Sequence, residues 1–542
     1  MPEETETKEE KKRRYIIVIG SLMSGLGKGI VTSSLGRSLK ARGLKVVPIK
    51  FDGYLNVDCG TMNPYRHGEV FVLNDGTECD MDFGTYERFL NIDLNSINSL
   101  TGGKIFKLVI EKERKGGYLG YDVQIVPHLT NEIKKWIKKV GHDFDADVVM
   151  VEVGGTAGDI ENSYFIEAMR EFAFEEKDVA FIQLTYVPVL TGSGEQKTKP
   201  TQHATKLLLS MGIQPDFIIC RETEKLGAET KKKMSMFCNV PVEAIIDDPD
   251  VKTIYEVPEI FEKQHLSELV MKRLRLASSD TDLKEWGALV EKIKNPKHSA
   301  VIGITGKYTA LRDAYVSIKE ALVHAGAHTD CSVEVKWIET TEIEDGKQTL
   351  DVLKGCDGII VPGGFGSRGT GGKINCIRWA RENKIPYLGL CFGMQLAVVE
   401  WARNVCGMDG ANSTEIDPNT KYPVIDLLPE QRTVEDKGAT MRLGSYPCKL
   451  KKGTRAHSAY GADLIHERHR HRYEFNNEFR QKLEESGLVI GGVSPDEKIV
   501  EMIEWPDGWG VGTQAHPELK SRLERPAPLF VAFLKEVLKR KK

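Results

Sequence analysis

At 542 residues, with 40% hydrophobic and 28% charged side chains, the chain is long enough for two or three domains and ordinary in composition for a globular protein. Its formal net charge of −4 offers no basic field for nucleic acid, and no apolar run approaches the ~20 residues a membrane helix needs. The ten cysteines are scattered without a C-x-x-C pair, which fits reduced thiols in a cytoplasm better than a disulfide framework.

The opening MPEETETKEEKKRR has no apolar h-region and nothing to bury, so residues 1–14 read as a disordered tail and not a signal peptide. Tyr15-Ile-Ile-Val-Ile19 is an apolar strand followed by a glycine-rich loop, a helical pattern from about Ile30 to Arg42, and a second strand at Lys45-Val-Val-Pro-Ile49. Strand, helix and strand at this spacing make a βαβ unit. Asp147–Val153, Val179–Leu184 and Pro215–Cys220 are further near-continuous apolar strands, the mark of a parallel sheet covered on both faces. A polar stretch over 279–299 separates a domain at 15–278 from a second at 300–542. The second begins with the strand Ala300–Ile304 and continues with Gly358–Pro362, Pro386–Leu390 and a helix from Gly393 to Arg403. The expected fold is α/β: two tandem domains, each a mostly parallel sheet with helices on both faces.

Gly20-Ser-Leu-Met-Ser-Gly-Leu-Gly-Lys-Gly-Ile30 lies between strand and helix. Small residues let backbone N–H groups surround phosphate oxygens, the helix N-terminus favours the negative charge, and Lys28 reaches the outer phosphates. Gly29 stands where a standard P-loop has Ser or Thr, so the hydroxyl that usually binds magnesium is missing and carboxylates must replace it. Asp82, in Asp80-Met-Asp82, and Glu152, ahead of Gly154-Gly-Thr-Ala-Gly158, are candidates. On spacing alone, both remain open as solvated or capping carboxylates.

Gly192-Ser-Gly-Glu-Gln-Lys-Thr-Lys-Pro-Thr-Gln-His203 is a polar loop in which Pro200 opens a helix. Lys197 and Lys199 there either hold a second polyphosphate or sit in a solvated basic loop. In Pro386-Tyr-Leu-Gly-Leu-Cys-Phe-Gly-Met-Gln395, Cys391 takes the nucleophile-elbow position, where a tight turn exposes the thiol and the helix N-terminus lowers its pKa. His516, in Gln514-Ala-His-Pro-Glu518, supplies a base that Glu518 can orient, and Pro362-Gly-Gly-Phe-Gly366 can form an oxyanion hole. Glu467-Arg-His-Arg-His-Arg-Tyr-Glu474 is read neither as a metal site nor as a nucleic-acid patch, but as holding an arginine that grips a substrate carboxylate by a bidentate fork.

From Tyr15 to the C-terminal helix the chain resembles the CTP synthase family. The resemblance rests on Ser24–Ile30, Asn56-Val-Asp58, His67–Leu73, Glu152–Thr156, Gly194–His203, Phe237–Val240, Pro362–Gly366, Cys391–Gln395, Asn412–Glu415 and Arg468–Tyr473. The glutaminase motifs occur in many class I amidotransferases, whereas the lysine motif with the N-terminal loop is far more specific. The resemblance implies a P-loop-like amidoligase domain followed by a flavodoxin-like glutamine amidotransferase domain. It implies that Gly25, Leu26, Gly27, Lys28, Gly29, Ile30, Lys50 and Asp82 contact ATP, with Asp82 and Glu152 on Mg²⁺. Ser24, Lys197, Thr198, Lys199, Pro200, Thr201, Gln202 and Lys233 would contact UTP, or CTP as feedback inhibitor, with Asp159, Ile160 and Glu161 nearer the CTP base. Gly364, Phe392, Gly393, Met394, Gln395, Glu415 and Arg472 would bind L-glutamine around the triad of Cys391, His516 and Glu518. The activity implied is ATP-dependent amination of UTP, with GTP as allosteric activator, in a cytoplasmic homotetramer without nucleic-acid or membrane partners.

Departures from the family pattern include Gly25 for a frequent serine, Gly53 within the usual Asp-Pro-Tyr, Asn74 for aspartate, and Ala204 for serine. Gly371 stands where the lid segment Arg-Gly-x-Glu carries its glutamate, which predicts weakened GTP activation. Two rivals remain. Another ATP-dependent amidotransferase, such as one acting on a cobyrinate-type carboxylate, would not need the lysine motif. An inactive polymer-forming relative would not need Lys28 and an intact triad.

Overall fold

A computed structural model describes residues 11–21, 23–62, 68–190, 192, 194–277, 279–307, 312–427 and 441–541. Residues 1–10 of the expected tail, His67 of the family motifs and Ser278 at the expected boundary lie outside the described residues. Residues 11–14 are not tail. Lys11 pairs with Asp147 at 2.7 Å, Lys12 pairs with Asp178 at 2.8 Å, and Arg14 begins the first strand.

By compactness the chain falls into two units, Met1–Asp58 with Ser96–Gly287 and Cys59–Asn95 with Ala288–Lys542. The first holds a seven-stranded sheet of β1 (Arg14–Gly20), β2 (Val46–Asp52), β3 (Ser99–Thr101), β4 (Val148–Val153), β5 (Val179–Tyr186), β6 (Phe217–Glu222) and β7 (Ile245–Pro249). Their order is β7-β6-β5-β1-β4-β2-β3, and every pairing is parallel. The unbroken apolar runs are explained by burial: every residue of β2 and of β4 is buried. The helix α1 (Lys28–Ala41) follows the phosphate loop, and α2 (Lys199–Ser210) follows the lysine loop, with Pro200 in its first turn.

The second unit carries a nine-stranded sheet of β8 (His298–Gly306), β9 (Cys331–Glu339), β10 (Gly358–Val361), β11 (Tyr387–Leu390), β12 (Arg442–Leu450), β13 (Leu464–His471), β14 (Val489–Val493), β15 (Val500–Glu504) and β16 (Gly510–Thr513). The order is β9-β8-β10-β11-β16-β15-β14-β12-β13. The first five strands in that order are parallel, and the remaining four extend the sheet antiparallel. α3 (Thr370–Glu382) and α4 (Phe392–Asn404) belong to the parallel half.

Residues 59–95 were expected inside the first domain, but they group with the second unit. Buried charge accounts for this. Glu87, wholly buried in the helix Asp82–Leu90, accepts from Arg468 at 2.7 and 2.9 Å and from Arg522 at 2.6 Å. Removing one member of such a set strands the others without a partner, which costs about 3–5 kcal/mol. Arg468 also donates to Asn74 Oδ1 at 2.7 Å, and Arg470 to Glu78 at 2.7 Å. Within Glu467–Glu474, Arg468 gives its fork to the protein's own Glu87, which leaves Arg472 as the candidate for a substrate carboxylate.

Candidate active site

Cys391 closes the turn from β11 into α4 with φ 50° and ψ −101°. A β-carbon in that region is strained by roughly 1–3 kcal/mol, and such strain persists only where the surroundings over-determine it. Here the Cys391 N–H donates to Thr513 O on β16 at 2.7 Å. A side chain at Gly393 would collide with the carbonyl of Val361, so the second glycine lets α4 start against the end of β10. The Cys391 thiol donates to Arg470 O at 3.8 Å and accepts from Gln514 Nε2 at 3.6 Å.

His516 and Glu518 meet the cysteine from beyond β16. His516 Nδ1 lies 2.7 Å from Glu518 Oε1. Burial pushes the imidazole down, but the Glu518 carboxylate and the Cys391 sulfur outweigh it and hold His516 well above its ordinary value. Gly363 passes beside both: a β-carbon there would stand 2.7 Å from His516 Cε1 and 3.8 Å from Cys391 Cβ. A cavity of about 260 Å³ opens at this point, lined among others by Glu69, Tyr315, Gly364, Phe365, Arg470 and His516.

The expected glutamine residues divide into two groups. Phe392 and Gly393 form the first turn of α4 beside the cysteine. Met394 and Gln395 point inward. Met394 is fully buried against Gly512, and the Gln395 amide donates to Tyr473 O at 2.8 Å and Gln514 Oε1 at 3.2 Å. Glu415 accepts from the Gly366 N–H at 2.6 Å. Burial raises its carboxyl pKa, against that N–H and the charges of Lys307 and Arg472. An acid and a base sharing one field suit the α-amino and α-carboxylate groups of an amino acid. Glu69, Lys373 and Gln514 were not singled out from sequence. The signals available were their places inside the His67–Leu73, Gly366–Lys373 and Gln514–Glu518 stretches.

In the first unit the phosphate loop and the lysine loop leave the C-terminal ends of neighbouring strands, β1 and β5. Gly25 and Gly27 have φ of 78° and 93°, values that favour glycine, and Lys28 Nζ donates to Gly155 O at 2.7 Å. A buried network ties the two loops: Gln183 donates to Ser21 Oγ at 3.3 Å and accepts from Thr205 at 2.8 Å, while Thr185 and Thr201 meet at 3.1 Å. Gln202 donates to Thr198 at 2.9 Å. Lys197 lies 2.5 Å from Glu195, whose carboxyl is held below the usual range by Lys197 first and by Lys233 as well. Lys199 covers the Phe237 ring at 5.6 Å. Asp159 accepts from the Thr156 N–H at 2.7 Å, and Ile160 is 84% exposed. Lys50 is buried 3.8 Å from Asp52 and paired in register with Glu152, a buried carboxylate of β4. Ser24, Leu26, Gly29 and Ile30 belong to the loop and the start of α1. Asp82 opens its helix in the second unit, its N–H bonded to Asp80 at 2.9 Å. Among the described residues no three His, Cys, Asp or Glu side chains converge as a self-sufficient metal site. None of the described helices is long and apolar enough to cross a membrane.

The family model described as CTP synthase N-terminus matches residues 14–276, and that of class-I glutamine amidotransferase matches 310–536. A protein named CTP synthase from Caldanaerobacter subterraneus subsp. tengcongensis is 54% identical over 528 residues, 97% of this chain and 98% of the relative. One of the same name from Clostridium acetobutylicum is 52% identical with the same coverage. Among solved structures, the Trypanosoma brucei CTPS glutaminase domain with bound acivicin is 33% identical, covering 44% of this chain and 94% of that one at a TM-score of 0.41.

Proposed function

The chain belongs to the CTP synthase family, ligases that aminate UTP to CTP with nitrogen from glutamine, and we propose how its residues divide that reaction. In the glutaminase half, Glu415 takes the α-ammonium of L-glutamine and Arg472 its α-carboxylate. Cys391 Sγ adds to the side-chain amide carbon. The resulting oxyanion faces N–H groups of the Gly363–Gly364 segment that follows β10 and of Phe392 at the start of α4. His516, held by Glu518, passes its proton to the departing nitrogen; ammonia leaves and a thioester remains. Water then adds with His516 as base, releasing glutamate and restoring the thiol. The observation that carries this reading is the strained cysteine turn pressed against Gly363, with the His516–Glu518 pair at 2.7 Å behind it.

In the synthetase half, the Gly25–Ile30 loop, Lys28 and Lys50 hold ATP, and Ser24, Lys197, Thr198, Lys199, Pro200, Thr201, Gln202 and Lys233 hold the UTP phosphates. The γ-phosphoryl group moves to the uracil O4. Ammonia then adds at C4, and phosphate leaves with that oxygen. Glu152 is a buried hard-oxygen donor on β4, the strand paired with β1 that leads into the phosphate loop, and is of the kind Mg²⁺ combines with nucleotide phosphates. When bound, the ion neutralises phosphate charge. CTP would compete for the UTP site with its base near Asp159, Ile160 and Glu161, GTP would activate the glutaminase, and the assembly would be a homotetramer in the cytoplasm.

Supply of ammonia and its use are separable, which gives the test. Cys391→Ala abolishes synthesis from glutamine and retains synthesis from ammonium salt, read as UTP conversion by absorbance. Equal loss of both activities would overturn the assignment.

A further inference from the structure

Lys373 belongs to neither nucleotide motif. It sits in the first turns of α3 and is 1% exposed. Its Nζ donates to Pro362 O at 3.3 Å and lies over the Phe392 ring at 5.3 Å from the centroid. A β-carbon at Gly364 would stand 3.5 Å from the same Nζ and 3.7 Å from Phe392 Cδ1. Burying an amine costs several kcal/mol unless something holds it. Burial and the repulsion of Lys307 bring this one down to about 7, against the pull of Cys391 and Glu339. Either protonation state leaves an N–H for the Pro362 carbonyl.

The position of that carbonyl matters. In a trans peptide the C=O and the following N–H point in opposite directions. A carbonyl of Pro362 tied to Lys373 turns the N–H of Gly363 away from the lysine. On the Gly363 side stand His516 and Cys391, within 2.7 and 3.8 Å of where a β-carbon would be. A flip of this peptide turns on ψ of Pro362 and φ of Gly363, and the glycine puts little steric restraint on its half of the rotation. We propose that Lys373 is a positioning residue of the glutaminase: from behind the Pro362–Gly364 segment it fixes the peptide orientation that presents N–H donors to the oxyanion formed at Cys391. This rests on the reading of Cys391 as the glutaminase nucleophile.

The two readings fail separately, because Cys391→Ala tests the nucleophile and Lys373 variants test the Pro362–Gly364 segment. In the full-length protein, Lys373→Met lowers kcat for glutamine hydrolysis by on the order of a hundredfold, the scale of one lost oxyanion donor. KM for glutamine, set at Glu415 and Arg472, stays within about threefold. Alkylation of Cys391 by iodoacetamide needs no oxyanion hole, so its rate also stays within about threefold. Lys373→Arg, which keeps a donor, recovers part of kcat. Synthesis from ammonium salt serves as the folding control; if Lys373→Met fails it, Lys373→Arg decides by the same readouts. An unchanged kcat overturns the proposal. So does a parallel fall of kcat and alkylation in a protein that passes the control, since the lysine would then support the whole elbow.

Discussion

Glu69 lines the cavity beside the triad, its Oε2 accepting from the Ser317 hydroxyl and, at 3.3 Å, from the Ser317 N–H. Burial raises its carboxyl to about 7; Ser317, Arg88 and His516 pull the other way, and Glu518 adds to the rise. The folded protein keeps this proton after the unfolded chain has released its own at an ordinary carboxyl value. Between about 4.5 and 7 unfolding therefore releases a proton, and stability falls as pH rises, by at most about 1.4 kcal/mol per pH unit. Glu69→Gln removes that slope while keeping the shape. The difference in thermal midpoint between variant and wild type should thus move in the variant's favour from pH 5 to pH 7.5. An identical difference at both values would show that Glu69 titrates as an ordinary surface carboxylate.

At the scale of elements, the start of α3 shows where reading by motif and reading by geometry part. The lid segment has Gly371 in place of a glutamate, which from sequence alone predicts a loosely held loop and weak GTP activation. In the structure Gly371 is already helical, and Glu344 accepts from the N–H of Gly369 at 2.6 Å and of Gly371 at 2.8 Å. A carboxylate thus caps the turn from a neighbouring helix, Thr340–Glu344. A β-carbon at 371 would come 2.8 Å from Glu344 Oε1, so a glutamate there meets the charge it would replace. Glu344→Ala should cost about 1 kcal/mol in denaturant unfolding, the usual value of a lost N-terminal cap. Gly371→Glu should not lower the half-activating GTP concentration. A lower one, with ammonia-dependent synthesis unchanged, would restore the motif-based reading.

The same contrast marks what was legible beforehand. Strands such as Val148–Val153 could be read because burial on both faces leaves an unbroken apolar run, and Cys391 because the tight turn before its helix places Gly389 and Gly393 two residues to either side of it. β13 could not be read. Its sequence LIHERHRH suggests one arginine aimed at a substrate carboxylate, whereas Glu467, Arg468, His469 and His471 are all buried, Arg468 against Glu87 and His469 3.7 Å from Glu501. Arg468 and Glu87 are 381 positions apart, and no local pattern announces such a pair. That pair is also what ties residues 59–95 to the second unit, a grouping that sequence order does not suggest.

The molecule as a whole carries two chemistries on two cores, and this separation can be tested from the synthetase side. Lys28 donates to Gly155 within the first unit, whereas Cys391, His516, Glu518 and Glu415 all belong to the second. If Lys28 serves only the outer phosphates of ATP, Lys28→Ala removes the charge that a transferring phosphoryl group develops against. Synthesis should then fall by on the order of a hundredfold or more with either glutamine or ammonium salt. Glutamine hydrolysis measured without nucleotides should stay within about threefold of wild type, because no group of that site is touched. Tight-binding loss alone would raise the KM for ATP and leave kcat at saturation intact, so both must be measured; a fall in kcat is expected, since the lysine's charge matters most in the transition state. Ammonia-dependent synthesis near the wild-type rate at saturating ATP would remove Lys28 from the phosphate site. It would leave Lys50 and the lysines of the 197–199 loop as the groups to test next.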